Sequence, residues 1–140
     1  MINPVSITDY NRTMPELEEF LLFCIVAAGK NSDVQSKALN RFLGNRKCPF
    51  RAIRKMYVDG TLESNLRNAK VGQYGKLTRS FSELVTANLN LRTCSVEDLE
   101  NIYGVGRKTS RLFVVHSREK AHHAILDVHI LRFMREELGV

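Results

Sequence analysis

The chain has 140 residues, 44% hydrophobic and 26% charged, which suits a single globular domain over 1–140 whose core needs no disulfide or metal to hold it. No apolar run approaches the roughly 18 residues of a membrane helix, and Met1-Ile-Asn-Pro-Val lacks the basic-then-apolar pattern of a secretory leader. A cytoplasmic protein with no membrane partner is expected. The net charge of +6 is unevenly spread: residues 29 to 83 carry twelve basic against four acidic side chains, and residues 101 to 140 seven against four. Two such blocks would attract a polyanion, although solvated helix faces also produce charge of this kind. Cys24, Cys48 and Cys94 are odd in number and far apart, as reduced thiols would be, and no Cys-x-x-Cys pair occurs.

Thr13-Met-Pro15-Glu16 has the form of a capping box, and Leu17, Phe20, Leu21, Cys24, Ile25 and Ala28 recur at helical spacing. They predict a core helix from about Met14 to Ala28, stopped by Gly29. Ser32 or Asp33 would cap a second helix carrying Val34, Ala38, Leu39, Phe42 and Leu43 and ending at Gly44. Pro49 opens a third, with Phe50, Ile53, Met56 and Tyr57 inward and Arg51, Arg54 and Lys55 outward, closed by Asp59-Gly60. Thr61 caps a short fourth helix, Val71 to Gly75 reads as a loop, and Leu77, Phe81, Leu84 and Val85 mark a fifth helix from about Lys76. Ser95 and Asp98 resemble a capping box that starts a helix with Leu99 and Ile102 inward. Arg107 to about His116 forms the next helix, and a last one begins at Asp127. No repeat, low-complexity tract or alternating strand pattern is present, so the expected class is all-α, seven or eight helices joined by short loops.

Within the segment from about 96 to 116, Gly104 and Gly106 flank Val105. Glycines so spaced let the backbone take positive φ and approach another surface closely. The helix after them opens at Arg107 or Lys108 with its free N–H groups outward, a terminus that attracts phosphate. The run Gly104-Val105-Gly106-Arg107-Lys108-Thr109, followed 19 residues after the lysine by Asp127-Val128-His129, resembles the helix-hairpin-helix DNA glycosylase superfamily, especially endonuclease III and the 8-oxoguanine DNA glycosylases.

The resemblance covers roughly residues 14 to 135. It implies a glycosylase-like helical barrel packed against a second helical element, here reduced, with the active site in the groove between. Relatives of endonuclease III often hold an iron–sulfur cluster on four cysteines near the C-terminus; this chain has three cysteines and ends 13 residues after Asp127, so a compact form without that cluster is expected. A monovalent cation on the hairpin carbonyls is implied by resemblance alone. The implied activity is base-excision repair of double-stranded DNA carrying a damaged base or an abasic site. Lys108 would be the nucleophile, and Asp127 would stabilise the positive charge on the sugar and help keep the amine deprotonated. His129 matches the family's aspartate-x-histidine signature and is expected to be structural, while His122 and His123 read as surface residues.

Helix geometry allows the pair to meet, since the ten or so residues leading back to Asp127 span about 30 Å extended. A free lysine amine has a pKa near 10.4, and attack needs it neutral, so desolvation on DNA binding must outweigh the nearby anions. Lys108 is therefore expected to be covered in the DNA complex. The backbone of Gly104, Val105 and Gly106, with Arg107, Thr109 and Ser110, would grip phosphates. Lys30 or Asn31, in the loop after the first barrel helix, and Gln73, before a later one, take the positions from which relatives insert side chains beside an extruded base. Tyr103 stands where the family often has proline. Two other readings compete: a non-catalytic DNA-binding module built on the same glycines, and a lyase acting only at abasic sites. The excised base and the oligomeric state are left open by the sequence.

Overall fold

The computed structural model describes residues 1–119, which form seven α-helices and, among the described residues, no strand. Asp127, His129 and the last predicted helix lie outside the described residues, as do His122 and His123. The class is all-α in the described part.

Helix α1 (Met14–Ala27) is apolar nearly all round. Every residue from Phe20 to Val26 is buried, as is Leu17. Such a helix has no face to give to water and must run through the middle of the protein. Accordingly α2 (Ser32–Leu43), α3 (Pro49–Asp59) and α7 (Arg107–Ser117) all pack against it. Its start is fixed as expected: the Thr13 hydroxyl accepts from the Glu16 N–H, and the Glu16 carboxylate accepts from the Thr13 N–H at 2.9 Å. The fourth helix, α4 (Leu62–Asn68), and α5 (Tyr74–Thr86) pack on α3 and on each other, and α6 (Val96–Glu100) packs on α7.

Several local expectations are corrected. Asn31, not Ser32 or Asp33, caps α2, its side chain accepting from the Val34 N–H at 3.1 Å. Val34 is 57% exposed because the inward face of α2 begins one residue later, at Gln35. That buried amide donates to the carbonyls of Val26 at 2.8 Å and Val71 at 3.0 Å, tying the end of α1 to the loop before α5. Tyr57 is 52% exposed, since it sits in the last turn of α3 at the edge of the Phe50–Ile53–Met56 stripe. Thr61 precedes α4 without a side-chain cap bond. Helix α5 starts at Tyr74 rather than Lys76, because Gln73 takes a left-handed conformation (φ 49°) and its carbonyl already accepts from Leu77.

The first dozen residues, unread from the sequence, close over α1 and α7. The Arg12 guanidinium is buried 3.9 Å above the Phe20 ring and donates to the carbonyls of Asp9, His116 and Ile7. That burial lowers its pKa from the ordinary arginine value, with Asp9 opposing. At the far end of α7, Arg118 donates to the carbonyls of Cys94 at 2.8 Å and Leu91 at 2.9 Å, fixing the connector that leads into α6.

Candidate nucleic-acid interface

The segment from Ser95 to Ser117 is a helix, a hairpin and a second helix, as its sequence predicts. Ser95 and Asp98 form a reciprocal capping box at the start of α6. Leu99, Ile102 and Val105 are buried and pin the hairpin to the core. The two glycines then differ. Gly104 has φ +84°, and a Cβ there would lie 3.2 Å from Lys76 Cε and 3.3 Å from the Cβ and Oγ of Ser80. This is the close approach expected, made against α5. Gly106 has φ −88° and ψ 179°, with nothing within 4 Å of a Cβ position, so the expected positive φ is found at Gly104 alone.

Two braces hold the hairpin. The Tyr103 N–H donates to Glu83 Oε1 at 2.9 Å, Arg79 Nε donates to Glu83 Oε2 at 3.0 Å, and the Arg79 guanidinium lies 3.9 Å over the Tyr103 ring. The Tyr103 bond first and the Arg79 bond second hold the Glu83 carboxyl below its ordinary pKa. On the other side Glu100 Oε1 accepts from Arg111 and from the Ser110 hydroxyl, and Arg111's bond is the main reason its carboxyl is also held low.

These braces settle where several expected phosphate contacts lie. Ser110 is fully buried, its hydroxyl bonded to Glu100 and to the Arg107 carbonyl at 3.0 Å each, which locks α7 to α6. The Val105 N–H donates to the Ile102 carbonyl at 3.0 Å and is already engaged. Gly106 precedes α7 with no side-chain cap, so no side chain occupies the first-turn N–H groups of α7. Arg107 and Lys108 are exposed in this turn, and Thr109 is buried behind them.

Two clefts meet at this terminus. One, of roughly 600 Å³, runs along the hairpin from Glu100 to Gly106 and is lined also by Lys76, Arg79, Ala28 and Thr109. The other, of roughly 350 Å³, is bounded by Lys108, Leu112, Phe23, Cys24, Pro4 and Ile7 and reaches Gly29 and Ser32. Ala28 and Thr109 belong to both, so the clefts share a wall. Lys108 thus faces the loop that carries Lys30 and Asn31, both exposed. Cys24, at the bottom of the smaller cleft, is fully buried, and burial pushes its thiol pKa up. Nothing in the sequence marked Pro4, Ile7 or Lys76 as parts of this region.

Gln73, expected to insert beside an extruded base, stands at the start of α5. Its amide nitrogen is enclosed, without a hydrogen-bond partner among the described residues, and its oxygen accepts from Lys76 Nζ at 3.4 Å. Asp127, expected beside Lys108, lies outside the described residues. Among those residues no group of three or more His, Cys, Asp or Glu side chains could hold a metal ion, and no helix is long and apolar enough to cross a membrane. Of the hairpin carbonyls that could face a monovalent cation, Ile102 and Gly106 already accept backbone bonds from Val105 and Ser110. Set against known proteins, the chain matches no family model, no curated protein and no solved structure.

Proposed function

We propose that this chain is a base-excision repair enzyme, a bifunctional DNA glycosylase and abasic-site lyase built on a compact glycosylase-like helical barrel with a reduced second element. The observation that carries the reading is the placement of Lys108. It stands in the uncapped first turn of α7, directly after a braced glycine hairpin, on the rim of a largely apolar cleft that adjoins the hairpin cleft, where Lys76 and Arg79 stand with Glu83 and Glu100. At roughly 350 Å³ the smaller cleft falls in the range of ligand pockets, about 300–1,000 Å³. A DNA strand held along the hairpin by Lys76, Arg79, Arg107 and the free N–H groups could send one extruded nucleotide over the shared wall to Lys108.

There the neutral amine attacks C1′ as the bond from C1′ to the base breaks, and the base leaves with that electron pair and takes up a proton. The sugar ring opens to a Schiff base between Nζ and C1′, loss of a C2′ proton expels the 3′-phosphate, and water releases the lysine. Asp127, assigned by resemblance, would stabilise the developing charge. Lys108 is exposed, and bound DNA would supply cover for its amine during attack.

The same exposure favours one competing reading, a DNA-binding module in which Lys108 is only a phosphate contact. Incubation with duplex DNA containing an abasic site separates the two. The enzyme reading predicts strand nicking that disappears in Lys108→Gln while binding persists, and no nicking above the spontaneous rate would leave the module. Duplexes carrying uracil, an oxidised pyrimidine or 8-oxoguanine then report whether a base is excised as well.

A further inference from the structure

We infer that a second basic cleft, remote from Lys108, holds DNA phosphates outside the hairpin contact; the choice of DNA as ligand rests on the proposed function. This cleft, of roughly 500 Å³, lies between the loop after α2, the outer face of α3 and the start of α4. Arg46, Lys47, Arg51 and Lys55 line it, all exposed, and Asp59 is its one acid. Among the described residues none of the four cations is in an ion pair. Arg46 is nonetheless fixed, its guanidinium donating to the carbonyls of Phe42 at 3.1 Å and Leu43 at 3.3 Å.

The cleft lies toward the other end of α1. Glu18 near the start of α1 accepts from the Phe50 N–H at 3.0 Å, which sets the beginning of α3 beside the beginning of α1, whereas the Lys108 cleft is built on the last turn of α1. Along α1, Glu18 and Ala27 are nine residues apart, a rise of about 14 Å. Glu16 and Glu19 share a neighbouring hollow with Arg46 and Lys47. Both are engaged elsewhere, Glu16 in the Thr13 cap and Glu19 with the N-terminal amine at 3.7 Å.

The lining also says what kind of anion fits. No aromatic ring lines the cleft, so a base would have nothing to stack on. Four unneutralised cations spread over a loop and a helix face match a run of backbone phosphates instead.

Cys48 supplies a reporter, because it lines this cleft and is exposed while Cys24 and Cys94 are buried. Alkylation of Cys48 by iodoacetamide, followed by mass spectrometry with and without saturating abasic-site duplex, reads occupancy directly. Several-fold protection by duplex is expected. In parallel, the exposed pair Arg51→Gln and Lys55→Gln should reduce the magnitude of the log K against log salt slope by about 1.8, two phosphate contacts at roughly 0.9 each. An unprotected Cys48 with an unchanged slope overturns the inference, and so does protection by tripolyphosphate that duplex DNA fails to give. Failure here is distinguishable from failure of the enzyme reading: Lys108→Gln should keep the Cys48 protection, and the Arg51/Lys55 variant should keep the nicking at saturating DNA.

Discussion

The two hairpin glycines provide the sharpest test of how the site is built, because the same change, glycine to alanine, should have opposite consequences at each. At Gly104 an alanine meets two penalties. The backbone has φ +84°, a conformation that costs an L-residue about 1–2 kcal/mol. Its Cβ would also press at 3.3 Å on the Cβ of Ser80, which is fully buried on α5, so α5 itself must give. Overpacking of that kind costs about 1–3 kcal/mol. Lys76 Cε, at 3.2 Å, is the end of a flexible chain and moves cheaply. The lower entropy of an unfolded chain with alanine returns about 0.4–1 kcal/mol, leaving a net loss of about 2–4 kcal/mol. At Gly106 the backbone is ordinary and no atom is near, so the change costs under about 1 kcal/mol, as for a poorer helix cap. It does place a methyl group at the exposed N–H groups of α7. Loss of one charge-assisted contact there should weaken DNA binding about tenfold. Urea unfolding and DNA titration of both variants decide the matter. The double variant Gly104→Ala/Ser80→Gly should recover the packing part and retain the conformational part. Equal stabilities for the two single variants, or a Gly106→Ala protein that binds DNA as wild type, would refute the account of the hairpin.

Other outcomes follow from the same contacts. Because the Glu83 carboxyl is held below its ordinary value by the Tyr103 N–H and then by Arg79, its contribution is complete above the unfolded carboxylate range and is lost as pH falls through the lower, folded value. Protection of the Tyr103 amide in hydrogen exchange should therefore persist at neutral pH and fail only in acid, and Glu83→Gln should weaken it at neutral pH and remove that acid dependence. Asn31→Asp preserves a side chain able to cap α2 and should leave stability unchanged while weakening DNA binding, because it puts a negative charge beside Lys30; equal binding would remove that loop from the interface. Arg12→Met removes the guanidinium donor of the Asp9 and Ile7 carbonyls, the His116 carbonyl keeping the Asp9 N–H, at about 1–3 kcal/mol for each carbonyl that stays buried. A urea midpoint within error of wild type would show that water replaces the guanidinium freely.

The helices were legible because their signals are local. Thr13 with Glu16, Ser95 with Asp98, and Gly44 and Gly60 at helix ends mark termini that neighbouring residues alone decide. Positions whose surroundings the sequence does not show depend on distant parts of the chain. Which of Gly104 and Gly106 needs its freedom is set by Ser80 and Lys76, more than twenty residues earlier. Ser110 resembles a phosphate contact by its place in the first turns of a helix and becomes a structural bond because Glu100 stands opposite. Val34 and Tyr57 fit the apolar period but lie where no neighbouring helix covers them. Arg12 gave no signal at all, since a buried guanidinium satisfied by carbonyls and a ring has no sequence pattern. Lys108 was legible as the residue to watch, and the apolar cleft beside it, walled by Pro4 and Ile7 from the far end of the chain, was not.

The most direct test of the central claim is covalent capture. The protein is incubated with abasic-site duplex and sodium borohydride, and the adduct is digested and located by mass spectrometry. The account predicts a reduced Schiff base on Lys108 in the native chain and none in Lys108→Ala. An adduct on another lysine, one that survives Lys108→Ala, or none in the native chain would contradict it.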